Sequence, residues 1–217
     1  MSAKRSAAVW AAISDFSDGY PEVAEYELAA REFAKGSSVV PVARGVSGFL
    51  TLLVKLIGAK HVVEVGTGAG VTTTALIKGL DDTGMVTSID PDSGLQQGLK
   101  DLLKEHGVPA RKARLIAGQP LDVLEKLTDA GYDLVLISGD PLEYVEYVAA
   151  AQKLLRPGGV FVLNNIFWGG STVDEDNDED EPLIIREAIA AAANIDGATS
   201  TLLPVGDGLL VVQLAAE

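Results

Sequence analysis

The stretch from His61 to Thr74, HVVEVGTGAGVTTT, constrains this chain most. His61–Val65 has three valines and no breaker, so it reads as a buried strand. Gly66, Gly68 and Gly70 follow at once, and a helix pattern opens at Thr72. A strand, a glycine-rich turn and a helix form the first unit of a nucleotide-binding α/β sheet. The glycines allow a sharp turn and close approach of a ligand to the main chain. The free N–H groups of the helix start can receive an anionic or polar group.

The spacing is E-x-G-x-G-x-G, with Glu64 inside the strand. The dinucleotide fingerprint G-x-G-x-x-G fails, because its last position is Val71. The next apolar run, Met85–Ile89, ends in Asp90 and then Pro91. An acid at the end of the second strand can accept both hydroxyls of a ribose.

Downstream, strands are expected at 61–66, 85–90, 113–117, 132–138 and 159–164, and helices at 72–80, 93–106, 120–128, 142–154 and 183–193. This alternation predicts a Rossmann-like, mostly parallel sheet with helices on both faces. Two closing runs, Ser200–Val205 and Leu209–Leu214, flank Gly206-Asp207-Gly208 and predict a C-terminal antiparallel hairpin. Residues 1–60 read as added N-terminal helices. Trp10, Ile13 and Phe16 recur at helical spacing, Gly19-Tyr20-Pro21 breaks that helix, and 22–33 and 46–57 follow it. That spacing and Asp15 favour an amphipathic helix over a leader peptide. No repeat or linker divides the 217 residues, so one domain is expected, with 61–217 as its α/β core.

The formal net charge of −14 argues against a nucleic-acid partner, which needs a basic footprint. No apolar run reaches the length of a membrane span, and the absence of cysteine excludes disulfides, so the cytoplasm is the expected compartment. Asp174–Glu181, DEDNDEDE, has no strand or helix period and reads as a solvated, mobile loop. His61 at a strand start and His106 before Gly107 read as structural. Phe167 and Trp168 can stack an aromatic ligand or pack in a loop.

Assembled, these motifs resemble the small bacterial O-methyltransferases related to catechol and caffeoyl-CoA O-methyltransferases. The markers run from about Val40 to the C-terminus: PVARGVSGFLTLLVKLIGAK, VVEVGTGAGVTTTAL, VTSIDPD, IAGQPLDVL, YDLVLISGDPLEYVEY, LLRPGGVFVLNN and PVGDGLLV. The resemblance implies a seven-stranded sheet, S-adenosylmethionine as cofactor, a small hydroxylated acceptor, and commonly a homodimer. Val42 and Glu64 would lie by the methionine part of the cofactor. Gly66, Thr67, Gly68 and Thr72 would line it through backbone and hydroxyl groups. Asp90 would hold the ribose, Pro91, Gly118 and Gln119 would flank the adenine, and Asp140 would approach the amino group.

Family members usually carry D-A-D-K after the fourth strand and D-N after the fifth, and these bind a divalent cation such as magnesium. Here the segments read Ser138-Gly139-Asp140-Pro141 and Asn164-Asn165, with Tyr144 keeping the register. Two carboxylate ligands have become a hydroxyl and an amide, and only Asn165 remains as a family-like metal ligand. Hard cations want anionic oxygens, so any metal dependence should be weak. Ser138, Asn164, Asn165 and Trp168 are then expected around the acceptor, with no general base evident. The alternative is a cofactor-binding protein of little catalysis with a regulatory or scaffolding role. A nicotinamide oxidoreductase is disfavoured by Val71.

Overall fold

In the computed structural model, which describes residues 3–216, strand β1 (His61–Val65) is hydrogen-bonded on both sides. β2 (Met85–Asp90) and β4 (Tyr132–Ile137) flank it in parallel, β3 (Ala113–Ala117) lies beyond β2, and β5 (Leu155–Asn164) beyond β4. β7 (Leu209–Gln213) runs antiparallel between β5 and β6 (Thr199–Leu203), giving the order β3-β2-β1-β4-β5-β7-β6. This is the mostly parallel sheet that the alternation predicts, with the seven strands that the resemblance implies.

Two apolar cores sandwich the sheet because successive residues of a strand face opposite ways. On β5, Phe161 and Leu163 point into one core with Tyr144, Tyr147 and Ile185. Val160 and Val162 point into the other with Leu50, Leu76 and Leu99. The first core carries α6 (Pro120–Leu124), α7 (Tyr144–Leu154) and α8 (Asp180–Ala193). The second carries α3 (Arg44–Leu56), α4 (Val71–Gly79) and α5 (Ser93–Glu105). α2 (Glu25–Lys35) covers α4 and α5, and α1 (Ala3–Gly19) lies on α3. All of α4 except Lys78 is buried, which explains its nearly unbroken apolar and threonine sequence.

Several boundaries shift for local reasons. α7 starts at Tyr144, after a 3-10 turn at Pro141–Glu143 whose Leu142 N–H is met by the Asp140 carboxylate. β6 stops at Leu203 because Pro204 has no N–H for the ladder. α8 starts at Asp180, so Asp180 and Glu181 sit in its first turn, where the helix dipole favours acids. The acidic stretch is therefore not simply a mobile loop. The Arg186 guanidinium donates to the carbonyls of Asp174 (3.1 Å) and Asn177 (2.5 Å) and ties it down. Among the described residues no helix is long and apolar enough to cross a membrane.

Candidate active site

β1 and β4 part at their carboxyl ends because their onward connections run to opposite faces of the sheet. Ligands of open α/β sheets bind at such a switch point. A cleft of about 440 Å³ opens there. Its floor is the loop after β1. Gly66 has φ of +86°, and a Cβ there would run into the Ser138 carbonyl, so the residue must be glycine. Gly70, at φ +84°, starts α4 and packs against Leu99.

Thirteen of the residues expected at a ligand can be placed directly. Val42, Gly66, Thr67, Gly68, Thr72, Asp90, Pro91, Gln119, Ser138, Asp140, Asn164 and Asn165 all line the cleft, whereas Trp168 does not. Trp168 follows the turn after β5 and packs against the core of α7 and α8, as its aromatic surface demands. Gly118 is also outside the lining. It serves the wall through its N–H, which donates to the Asp90 carbonyl at 3.0 Å.

Glu64 is also outside the lining. It alternates onto the face covered by α4, is fully buried, and lies beneath the cleft rather than in its wall. Its Oε2 accepts hydrogen bonds from Thr73 and Ser88, both at 2.5 Å, while Oε1 has no protein partner. Burial pushes its carboxyl up to about 7, against the hydrogen bonds from Ser88, Thr72 and Thr73. The Thr67 hydroxyl also turns inward, to Ser88 at 2.5 Å, and accepts from the Gln96 amide at 2.8 Å. Thr67 can thus offer the cleft its backbone, but its hydroxyl is committed below.

Asp90 is nearly buried at 7% exposure. Its Oδ2 accepts from the Gly68 N–H and its Oδ1 from the Asp92 N–H, both at 2.9 Å. Each oxygen keeps a further lone pair, so the carboxylate can accept two vicinal hydroxyls while holding the glycine loop. Asp140 spends Oδ1 on the Leu142 N–H at 3.0 Å and is otherwise exposed.

At the other end, β4 and β5 run in register with Ile137 opposite Leu163, so Ser138 and Asn164 stand side by side at the carboxyl ends of the two strands. The Tyr144 hydroxyl donates to the Asn164 carbonyl at 2.8 Å and locks that turn. The Ser138 hydroxyl and both amide atoms of Asn164 are buried without a partner. Asn165 takes a left-handed φ of 57° where the strand turns away.

Sequence reasoning missed the strap Val39–Pro41, and also Leu95, Glu143 and Tyr147, all of which line the cleft. Val39 packs on Gly68, and the Arg31 guanidinium donates to the Val42 carbonyl at 2.7 Å. Tyr147 donates its hydroxyl to the Glu143 carboxylate. The Y-x-x-Y spacing of Tyr144 and Tyr147 was the available signal for a tyrosine pair on the inner face of a helix.

A family model described as O-methyltransferase matches residues 22–214. The chain belongs to the O-methyltransferase family. As an O-methyltransferase it uses S-adenosylmethionine as methyl donor. A relative from Mycobacterium avium, provisionally named an O-methyltransferase, is 40% identical over 182 residues, covering 84% of this chain and 82% of the relative. A crystal structure of a Corynebacterium glutamicum protein superposes with a TM-score of 0.89 at 28% identity, covering 96% of this chain and 98% of that one. The Bacillus cereus O-methyltransferase in complex with S-adenosylhomocysteine has a TM-score of 0.84 at 22% identity, covering 94% and 97%. It shares the fold of this methyltransferase.

Proposed function

We propose that this methyltransferase methylates a hydroxyl of a small aromatic acceptor without a resident divalent cation. The cofactor's ribose lies on Asp90, its adenine by Pro91 and Gln119, and its methionine part over the glycine loop. Glu64 lies beneath that part. The acceptor hydroxyl lies at the Ser138–Asn164 end.

One observation carries this reading. Asn164 is 1% exposed, lines the cleft, and has neither amide atom paired. An unpaired buried polar group costs about 1–3 kcal/mol, so a ligand that pairs it is favoured. An amide donates and accepts side by side, and so does a hydroxyl. The reaction forms the bond from acceptor oxygen to methyl carbon as the carbon–sulfur bond breaks. The sulfonium becomes a neutral thioether and the hydroxyl proton leaves to water at the mouth. Positioning and water exclusion supply the acceleration.

The donor set does not fit magnesium. Ser138, Asn164 and Asn165 are all neutral, whereas hard cations are held by anionic oxygens. Among the described residues no group of three or more His, Cys, Asp or Glu side chains is arranged to hold a metal ion. Methyl transfer to a panel of catechols, with EDTA or with added magnesium, tests this. Wild type is expected to be insensitive to EDTA. The double variant Ser138→Asp, Asn164→Asp is expected to gain metal-dependent turnover. Strong EDTA inhibition of wild type, reversed by magnesium, would refute the metal-free reading. The same proposal takes the working unit as a cytoplasmic homodimer.

A further inference from the structure

A buried ion pair sits outside the α/β core, behind the strap 39–42. On α2, Glu27 and Arg31 are one helical turn apart, and their side chains are 3% and 14% exposed. Arg31 Nη2 donates to Glu27 Oε1 and to the Ser47 hydroxyl, both at 2.9 Å. That hydroxyl donates in turn to Glu27 Oε1 at 2.7 Å. The other terminal nitrogen, Nη1, donates to the Val42 carbonyl at 2.7 Å. The guanidinium thus joins α2, the first turn of α3 and the strap.

The strap is neither helix nor strand. Among the described residues its main chain is tied at two points: the Val39 N–H donates to the Ser37 hydroxyl at 3.2 Å, and the Val42 carbonyl accepts from Arg31. The first tie is local, and the second anchors the strap to a buried group. Val39, Val40, Pro41 and Val42 all line the cleft. Val39 also packs on Gly68, whose N–H donates to Asp90. Packing alone does not call for the ion pair. α2 packs on α4 and α5 and buries Ala30 and Ala34 without it. A buried ion pair is often no more stabilising than apolar residues of its volume. What the pair adds is direction, because a guanidinium fixed by a carboxylate and a hydroxyl aims its remaining N–H groups along set lines.

We propose that Glu27, Arg31 and Ser47 are positioning residues for the cofactor: they hold the strap over the glycine loop and so slow the escape of S-adenosylmethionine and S-adenosylhomocysteine. The three residues act through the strap and touch no reacting atom. The N-terminal layer is thereby part of the cofactor site, not only a cover for the sheet. Loss of the tie frees the Val42 carbonyl and lets the strap part from Gly68. The floor of the cleft stays as it is, so the effect falls on cofactor dissociation. This inference rests on the cofactor placement proposed above.

Arg31→Ala alone would strand the buried Glu27 carboxylate and unsettle the whole layer. The test therefore uses Glu27→Leu with Arg31→Leu, which removes both charges and keeps apolar volume. The probe is S-adenosylhomocysteine on the full-length protein, with calorimetry for affinity and surface plasmon resonance for dissociation. The double variant is expected to bind about tenfold more weakly, the order set by one lost hydrogen bond from a charged group. That loss should appear as faster dissociation. A loss under about threefold, on that same scale, would overturn the inference. Arg186→Ala loosens a segment that does not line the cleft and controls for general destabilisation. It should bind as wild type does, and an equal loss there would also overturn the inference. Hydrogen exchange reads the strap itself. In wild type, exchange at 37–42 should slow when S-adenosylhomocysteine binds, and in the unliganded double variant it should be faster than in unliganded wild type. No protection of the wild-type strap would overturn the inference even if the double variant fails to fold. Failure of wild type to bind S-adenosylhomocysteine at all would instead remove the cofactor placement beneath it.

Discussion

Asp90 holds the glycine loop and offers the cleft an acid with one carboxylate. Asp90→Ala removes charge-assisted hydrogen bonds worth roughly 1.5–3 kcal/mol each. Calorimetry should show the affinity for S-adenosylmethionine falling by about tenfold or more. An unchanged affinity would take the ribose off Asp90. Glu64 gives a pH signature. Its carboxyl sits at about 7 in the fold, against an ordinary value of 4.5. Between those values the unfolded chain loses a proton that the folded chain keeps. Stability should therefore fall as pH rises through that window and level off above it. Relative to Glu64→Gln, wild type should lose on the order of 3 kcal/mol from the bottom of the window to the top. Urea titrations of both proteins across pH check this, and parallel curves would refute it. Asp90 was legible in the sequence because a strand end defines its place. Glu64 was legible as a residue of the motif but not in its depth, since only the packing of α4 shows which face is covered. Gln96 and Glu143 were illegible, because a polar residue on a helix or turn reads as solvated until the fold turns it inward.

At the scale of elements, the strands were readable because buried parallel strands are short apolar runs bounded by breakers. The strap at Val39–Val42 was readable only as a loop. Its position depends on Arg31 in α2 and on Gly68, which are distant in sequence. The acidic stretch misled for a different reason. Its side chains are exposed, but Arg186 holds the backbone carbonyls of Thr172, Asp174 and Asn177. The acids and the order of the segment are therefore separable. Neutralising Glu175, Asp176 and Asp178 to Gln or Asn should leave the melting temperature nearly unchanged. Arg186→Ala should cost about 1–2 kcal/mol, read as a fall of about 2–8 °C in Tm. Calorimetric melting of the two variants separates the effects. A large loss in the first variant would mean that the acidic side chains themselves hold the segment.

The whole molecule presents an apolar stripe that the single chain leaves uncovered. On α1, Val9, Ile13 and Phe16 follow one another at intervals of four and three residues, and so share a helix face. They are 47%, 47% and 80% exposed, Trp10 beside them is 66% exposed, and Tyr20 just past the helix end is 85% exposed. On α3, against which α1 packs, Leu52 and Leu56 are also exposed. Contiguous exposed apolar surface of this kind marks an interaction site. A chain with a net charge of −14 resists self-association unless such a patch opposes the repulsion. The proposed homodimer would bury the stripe in an isologous contact, with each α1 meeting the partner's helical layer. Light scattering coupled to size-exclusion chromatography should therefore give twice the 22.6 kDa chain mass for wild type. Phe16→Glu combined with Trp10→Glu would set charges of one sign against each other across that contact and should yield the monomer. These side chains are exposed in the single chain, so the variant should keep its helical content and its affinity for S-adenosylhomocysteine. A monomeric wild type at micromolar concentration would refute the dimer. A dimer that survives the double change would place the contact on another face.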